Sequence, residues 1–156
     1  MQSTDDVIAS LQSSPRLLIP LIREAPDAVR RRRPSPEKWS AHEHFVHLAQ
    51  VHTLFFKRLE TMLTEHRPRI VPYNPGRDDS DGALLALDMD DAIVRFERDR
   101  ASLVTRLREL APEQWKLEAE HGEYSRYSVF IMFRHLALHD FFHGYRIESL
   151  LLSRSS

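Results

Sequence analysis

The chain has 156 residues, 22 lysines and arginines against 23 aspartates and glutamates, a formal net charge of −1 and no cysteine. That length suits one domain, residues 1–156, with a core of its own. The lack of cysteine excludes disulfides, thiolate zinc sites and a cysteine nucleophile, and the charge balance gives no field to draw the whole chain onto nucleic acid or an anionic membrane.

The N-terminus, MQSTDDVIAS, has two early aspartates and no basic segment ahead of a long apolar run, so it does not read as a signal peptide. No stretch reaches the ~18 uninterrupted apolar residues of a membrane span. A soluble, cytoplasmic protein is expected. Four glycines and no convincing strand pattern point to an all-α fold.

The first helix is expected from about Asp5 to Glu24, with Val7, Ile8, Leu11, Leu17, Leu18, Leu21 and Ile22 as its apolar positions. Pro15 and Pro20 should kink or split it, since each removes a backbone donor and clashes with the preceding turn. Arg30 to Lys38, RRRRPSPEK, reads as a linker. Its four consecutive arginines raise the possibility of phosphate binding, but the run is short and carries no interleaved aromatics, so a solvated segment and no nucleic-acid partner are expected.

The second helix has the clearest start. Ser40 followed by Glu43 is a capping box, in which each side chain satisfies a backbone amide of the other. An apolar stripe through Phe45, Leu48, Phe55, Phe56, Leu59 and Met62 continues to about His66. Residues 67 to 87 hold three prolines and two glycines and form a long connection, expected to be functional or mobile.

The third helix begins near Asp88, turns Ile93, Phe96, Leu103, Val104, Leu107 and Leu110 inward, and ends at Ala111-Pro112. The fourth runs from about Ser128 to Leu152 and is apolar on more than one side, so it is expected to be the most buried. Four helices with one long crossover predict a four-helix bundle.

The last helix carries RHLALHDFFHGYR, with His135, His139 and His143 at every fourth residue. Neighbours four apart can meet at one metal, but His135 and His143 are ~12 Å apart along the axis. One ion can use His135 with His139, or His139 with His143. His139 and His143 share a seam with Val129, Met132, Leu136, Ile147 and Leu150, which favours the second pair; His135 falls on a neighbouring stripe with Ile131, Leu138 and Phe142. A tight site needs a third ligand. His42, His44, His47, His52, His66 and His121 are all candidates, and spacing does not choose among them. A lone histidine on an apolar face is ordinarily a hydrogen-bonded core residue, whereas two buried together are costly without a partner.

WSAHEHFVHLAQVHTLFF (Trp39 to Phe56) and RHLALHDFFHGYRI (Arg134 to Ile147) resemble the second-helix and last-helix signatures of the DinB-like superfamily. The order and spacing match over nearly the whole chain. The resemblance implies an up-up-down-down bundle holding a divalent metal, zinc or nickel among others, on three histidines. Carried over, these are His47, His139 and His143. His52 falls where many relatives have an acidic residue, and His135 would be near the site without binding. The resemblance also implies a homodimer.

Relatives include thiol-dependent S-transferases that use bacillithiol, mycothiol or glutathione, and metal-dependent hydrolases. A metalloenzyme that activates a thiol or water, acting on a small-molecule substrate or with a low-molecular-weight thiol, is therefore expected. The alternative is a non-catalytic metal- or ligand-binding stress-response protein, which a sealed pocket would favour. Asp140, beside His139, is a candidate to orient an imidazole from behind, or else a charge on the outer face. His121, Tyr124 and Tyr127 precede the last helix, where they would cover the mouth of the site or plug the core.

Overall fold

The computed structural model describes residues 3–74 and 81–154. Four long helices, α1 (Thr4–Glu24), α3 (Ala41–Thr64), α4 (Met89–Arg108) and α6 (Val129–Leu152), are joined by two single-turn helices, α2 (Asp27–Arg30) and α5 (Pro112–Trp115). α3 packs on α4 and α6, and α1 packs on the same two, so α1 and α3 lie on a diagonal of a four-helix bundle. The expected all-α four-helix bundle is the one observed. No helix of the described residues is long and apolar enough to cross a membrane.

Local sequence sets the helix starts. Ser40 and Glu43 form the capping box of α3, and Glu43 also takes a two-pronged ion pair from Arg33 at 2.8 and 2.7 Å. Asp88 and Ser128 cap α4 and α6 through the amides of Asp91 and Ile131. The arginine run is solvated only in part: Arg31 and Arg32 are exposed, and Arg30 and Arg33 are half-buried. Arg30 bonds the Ile22 carbonyl and Arg31 the Leu85 carbonyl, while Arg33 binds Glu43 and Asp81.

α1 is not split at Pro15 or Pro20. A proline at position 15 leaves the carbonyl of Leu11 without its helical donor. The guanidinium of Arg100 supplies a donor instead, at 3.0 Å. Tertiary structure thus replaces the bond that the sequence removes.

That arginine belongs to a buried polar layer with one residue from each long helix: Ser14, His52, Arg100 and Asp140. The layer divides the core in two. Leu11, Phe55, Leu103 and Phe133 pack on one side of it, and Leu18, Leu48, Phe96 and Ile147 on the other. Gly144 brings α1 against α6, since a Cβ there would stand 2.6 Å from a Leu18 methyl.

The connection after α3 is not wholly irregular. Arg69–Ile70 (β1) pairs in parallel with Glu120–His121 (β2), a two-residue ladder that hydropathy patterns do not reveal. The expected mobility of this connection falls partly on residues 75–80, outside the described residues. α6 departs from expectation in burial: it exposes Leu138, Phe141, Phe142, Tyr145 and Leu152, so its second apolar face has no cover among the described residues.

Candidate metal centre

α3 and α6 run side by side, and each turns histidines into the seam between them. His47 projects from the second turn of α3, and His139 and His143 from successive turns of α6. The Nε2 atoms of His47 and His139 are 3.1 Å apart, and those of His139 and His143 are 3.0 Å apart. One nitrogen from each of the three lies within 4.8 Å of the others.

This donor set fits a divalent metal. An ion bound tetrahedrally by imidazoles at about 2.05 Å sets adjacent nitrogens about 3.3 Å apart, close to the spacings seen. Ligands must also be neutral. Burial, with smaller contributions from neighbouring imidazoles, pushes the pKa of His47 down to about 3. Burial likewise lowers His139 to about 4 and takes His143 well below the ordinary imidazole range. All three are unprotonated at neutral pH and keep lone pairs to offer.

The surroundings hold these rings in place. Trp39, from the loop before α3, packs 5.0 Å from His47 and 5.4 Å from His44, and Tyr73 stacks on His47 at 5.4 Å. Nδ1 of His143 lies 2.8 Å from Nδ1 of His44, itself lowered to about 4 by burial and then by Arg146. His143 therefore has one nitrogen towards the trio and the other occupied. Nδ1 of His139 is buried with no partner among the described residues.

The remaining candidates go elsewhere. His42 bonds the Leu87 carbonyl at 2.8 Å, and His66 is exposed. His52 bonds the Ala49 carbonyl and accepts from Arg100 at 3.0 Å, inside the polar layer. His135 is exposed, its ring 6.4 Å from that of His139 and 5.8 Å from Tyr124.

Asp140 fits neither reading given to it from sequence. It is fully buried, and its carboxylate accepts from Arg100 at 2.5 and 2.9 Å and from Ser14 at 2.5 Å. It points into the layer, away from the seam, because adjacent residues on a helix face ~100° apart. Its pairing fixes the rotation of α6, and with it the direction of His139 and His143.

His47 and His139 open onto a cleft of about 170 Å³. Tyr73, His121, Tyr124, Tyr127, His135 and Arg58 are in its wall, so the aromatics before α6 border the site after all. Gly122 lets Pro72 close in, since a Cβ there would meet the proline ring at 3.2 Å, and the β1–β2 ladder holds these two segments together. Sequence reasoning gave no role to Arg58 or Tyr73; the only prior sign of Arg58 was its place on the face of α3 that carries His47.

The family model described as the DinB superfamily matches residues 10–147. None of the curated proteins matches the chain. Among solved structures it is similar to YfiT from Bacillus subtilis, at 19% identity and a TM-score of 0.75, over 95% of this chain and 83% of that one. YfiT is described as "a probable metal-dependent hydrolase with an unusual four-helix bundle topology". At that identity the likeness speaks for the fold.

Proposed function

The chain belongs to the DinB superfamily, and on that premise we propose that it is a divalent-metal-dependent enzyme whose ion is held by His47, His139 and His143. The observation that carries this reading is the convergence of three neutral imidazole nitrogens at the end of an open cleft. A divalent ion on three such ligands supplies a Lewis acid that lowers the pKa of a bound water or thiol and polarises a substrate oxygen. We assign the ion as zinc or nickel, which suit imidazole donors.

The chain's own residues supply the rest. Trp39 and Tyr73 pack on the ligand rings and keep bulk water from that side. The nucleophile is water or a low-molecular-weight thiol, making the enzyme a hydrolase or a thiol S-transferase. YfiT, described as a probable hydrolase, supports the first. The cleft beside His47 and His139 favours an enzyme over a sealed binding protein. The uncovered face of α6 with Leu138, Phe141 and Tyr145 suits a homodimer.

The test is to load the protein with zinc or nickel and screen activated esters and amides in water, and electrophiles with glutathione, bacillithiol or mycothiol. Turnover that disappears on chelation and in His139→Ala is expected. Loaded protein that turns over neither class would contradict the enzyme reading and leave a metal-binding protein.

A further inference from the structure

The cleft that begins at His47 and His139 has a second polar end. His47, Val51, Leu54 and Arg58 advance along α3 by four, three and four, so they share one face, and all four line the cleft. Arg58 is half-buried. It donates to the Val71 carbonyl at 2.8 Å and, at 3.4 Å, to the Tyr127 hydroxyl. Neither partner is charged, and among the described residues Arg58 forms no ion pair, unlike Arg33, Arg67, Arg95 and Arg106.

Its charge is felt across the cleft. After burial, Arg58 is the largest influence lowering the proton affinity of both His121 and His135, and Glu123 opposes it in each case. Aromatic rings continue the wall from Tyr127, which Arg58 itself contacts: the ring of His121 lies 4.6 Å from that of Tyr124 and 4.6 Å from that of Tyr127. Such faces stack on planar groups. The volume beside Arg58, about 170 Å³, is below the ~300–1,000 Å³ of sites for drug-sized ligands, so the part of the occupant held there is small; a second hollow of about 500 Å³ shares its wall at His47, Val51 and Tyr73.

A guanidinium fork matches a carboxylate with two parallel hydrogen bonds, and Arg58, which shares the cleft with Glu123 but forms no ion pair with it, can take an anion there. We propose that Arg58 anchors a carboxylate, so that the cleft takes small, planar carboxylic acids. The acid group sits on Arg58 and the reacting end lies at His47 and His139. Placing the reacting end rests on the metal-site reading above; the carboxylate site does not.

The probes are benzoate and its uncharged analogue benzamide, titrated into chelated and into zinc-loaded protein and followed by amide chemical shifts. Saturable benzoate binding in both forms is expected, with benzamide about tenfold or more weaker. Arg58→Met should weaken benzoate about tenfold or more, and Arg58→Lys less, because lysine keeps the charge without the fork. Should Arg58→Met fail to fold, Arg58→Lys and the comparison of the two probes on the parent carry the test.

The inference is overturned by equal binding of benzoate and benzamide, by undiminished benzoate binding in Arg58→Met, or by no benzoate binding at all. Benzoate binding that requires zinc and ignores Arg58 would put the carboxylate on the metal, overturning this inference alone. Arg58-dependent binding in a chain that takes up no zinc would uphold it while removing the proposed metal site.

Discussion

Arg100 and Asp140 form a two-pronged ion pair at 2.5 and 2.9 Å, with side chains 3% and 0% exposed, in the middle of the bundle. Arg100 has further work: its Nε donates to His52, and its Nη1 to Ser14 and to the carbonyl freed by Pro15. Removing one partner strands a buried charge. Asp140→Asn or Arg100→Met should lower stability by about 3–5 kcal/mol, measured by denaturant unfolding. Replacing both by apolar residues should cost less than either single change; equal or greater loss would contradict the stranded charge as the source of the single-variant penalty.

His52 makes the same layer sensitive to acid. Burial, and then the Arg100 charge facing it, pushes its pKa down to about 4, while Asp140 and Asp99 act the other way. The unfolded value is about 6.5. The unfolded chain therefore binds the proton first, and stability that is complete above pH 6.5 declines as pH falls towards 4. In metal-free protein, where His44, His47 and His139 are also lowered, His52→Gln should make this acid limb shallower. An unchanged slope between pH 6.5 and 4 would contradict the assignment.

His44 positions a ligand of the proposed site through the 2.8 Å contact of its Nδ1 with Nδ1 of His143. A hydrogen bond at the far nitrogen of a ligand imidazole fixes its tautomer and direction. His44→Ala should lower zinc affinity about 10- to 100-fold, read by competition with a chromophoric chelator. His42→Ala, at a ring bonded instead to the Leu87 carbonyl, should leave it unchanged.

Removal of metal should leave the fold intact. Both halves of the apolar core, around Phe133 and around Phe45, are packed without reference to an ion. Chelated protein is expected to keep its helical circular dichroism and a cooperative melt, with a midpoint that rises with free zinc by mass action. Loss of the helical signal on chelation would make the histidines a structural clamp.

The parts of this molecule written in local sequence were legible in it. The Ser40–Glu43 box, the inward faces of α3 and α4 and the pairing of His139 with His143 all follow from spacings of three and four residues. The third histidine was not legible that way. Six candidates stood open, and only resemblance to a family singled out His47. What stayed hidden depends on partners far along the chain. Asp140 meets a residue 40 positions away and Ser14 meets Asp140 across 126, so nothing near Asp140 announces that it is buried. Pro15 misled for the same reason, since the donor that spares α1 comes from α4. The arginines at 30, 31 and 33 found carbonyls and carboxylates that composition does not show.

The central claim is that one ion sits on His47, His139 and His143. Its most direct test is to change each of the nine histidines to alanine, load all variants equally with zinc, and measure bound metal per chain. About one ion per chain is expected for the parent. His47→Ala, His139→Ala and His143→Ala should lose it, while His135→Ala, His121→Ala and His66→Ala should keep it. Equal loss in His135→Ala and His143→Ala, or full retention in His47→Ala, would contradict the site.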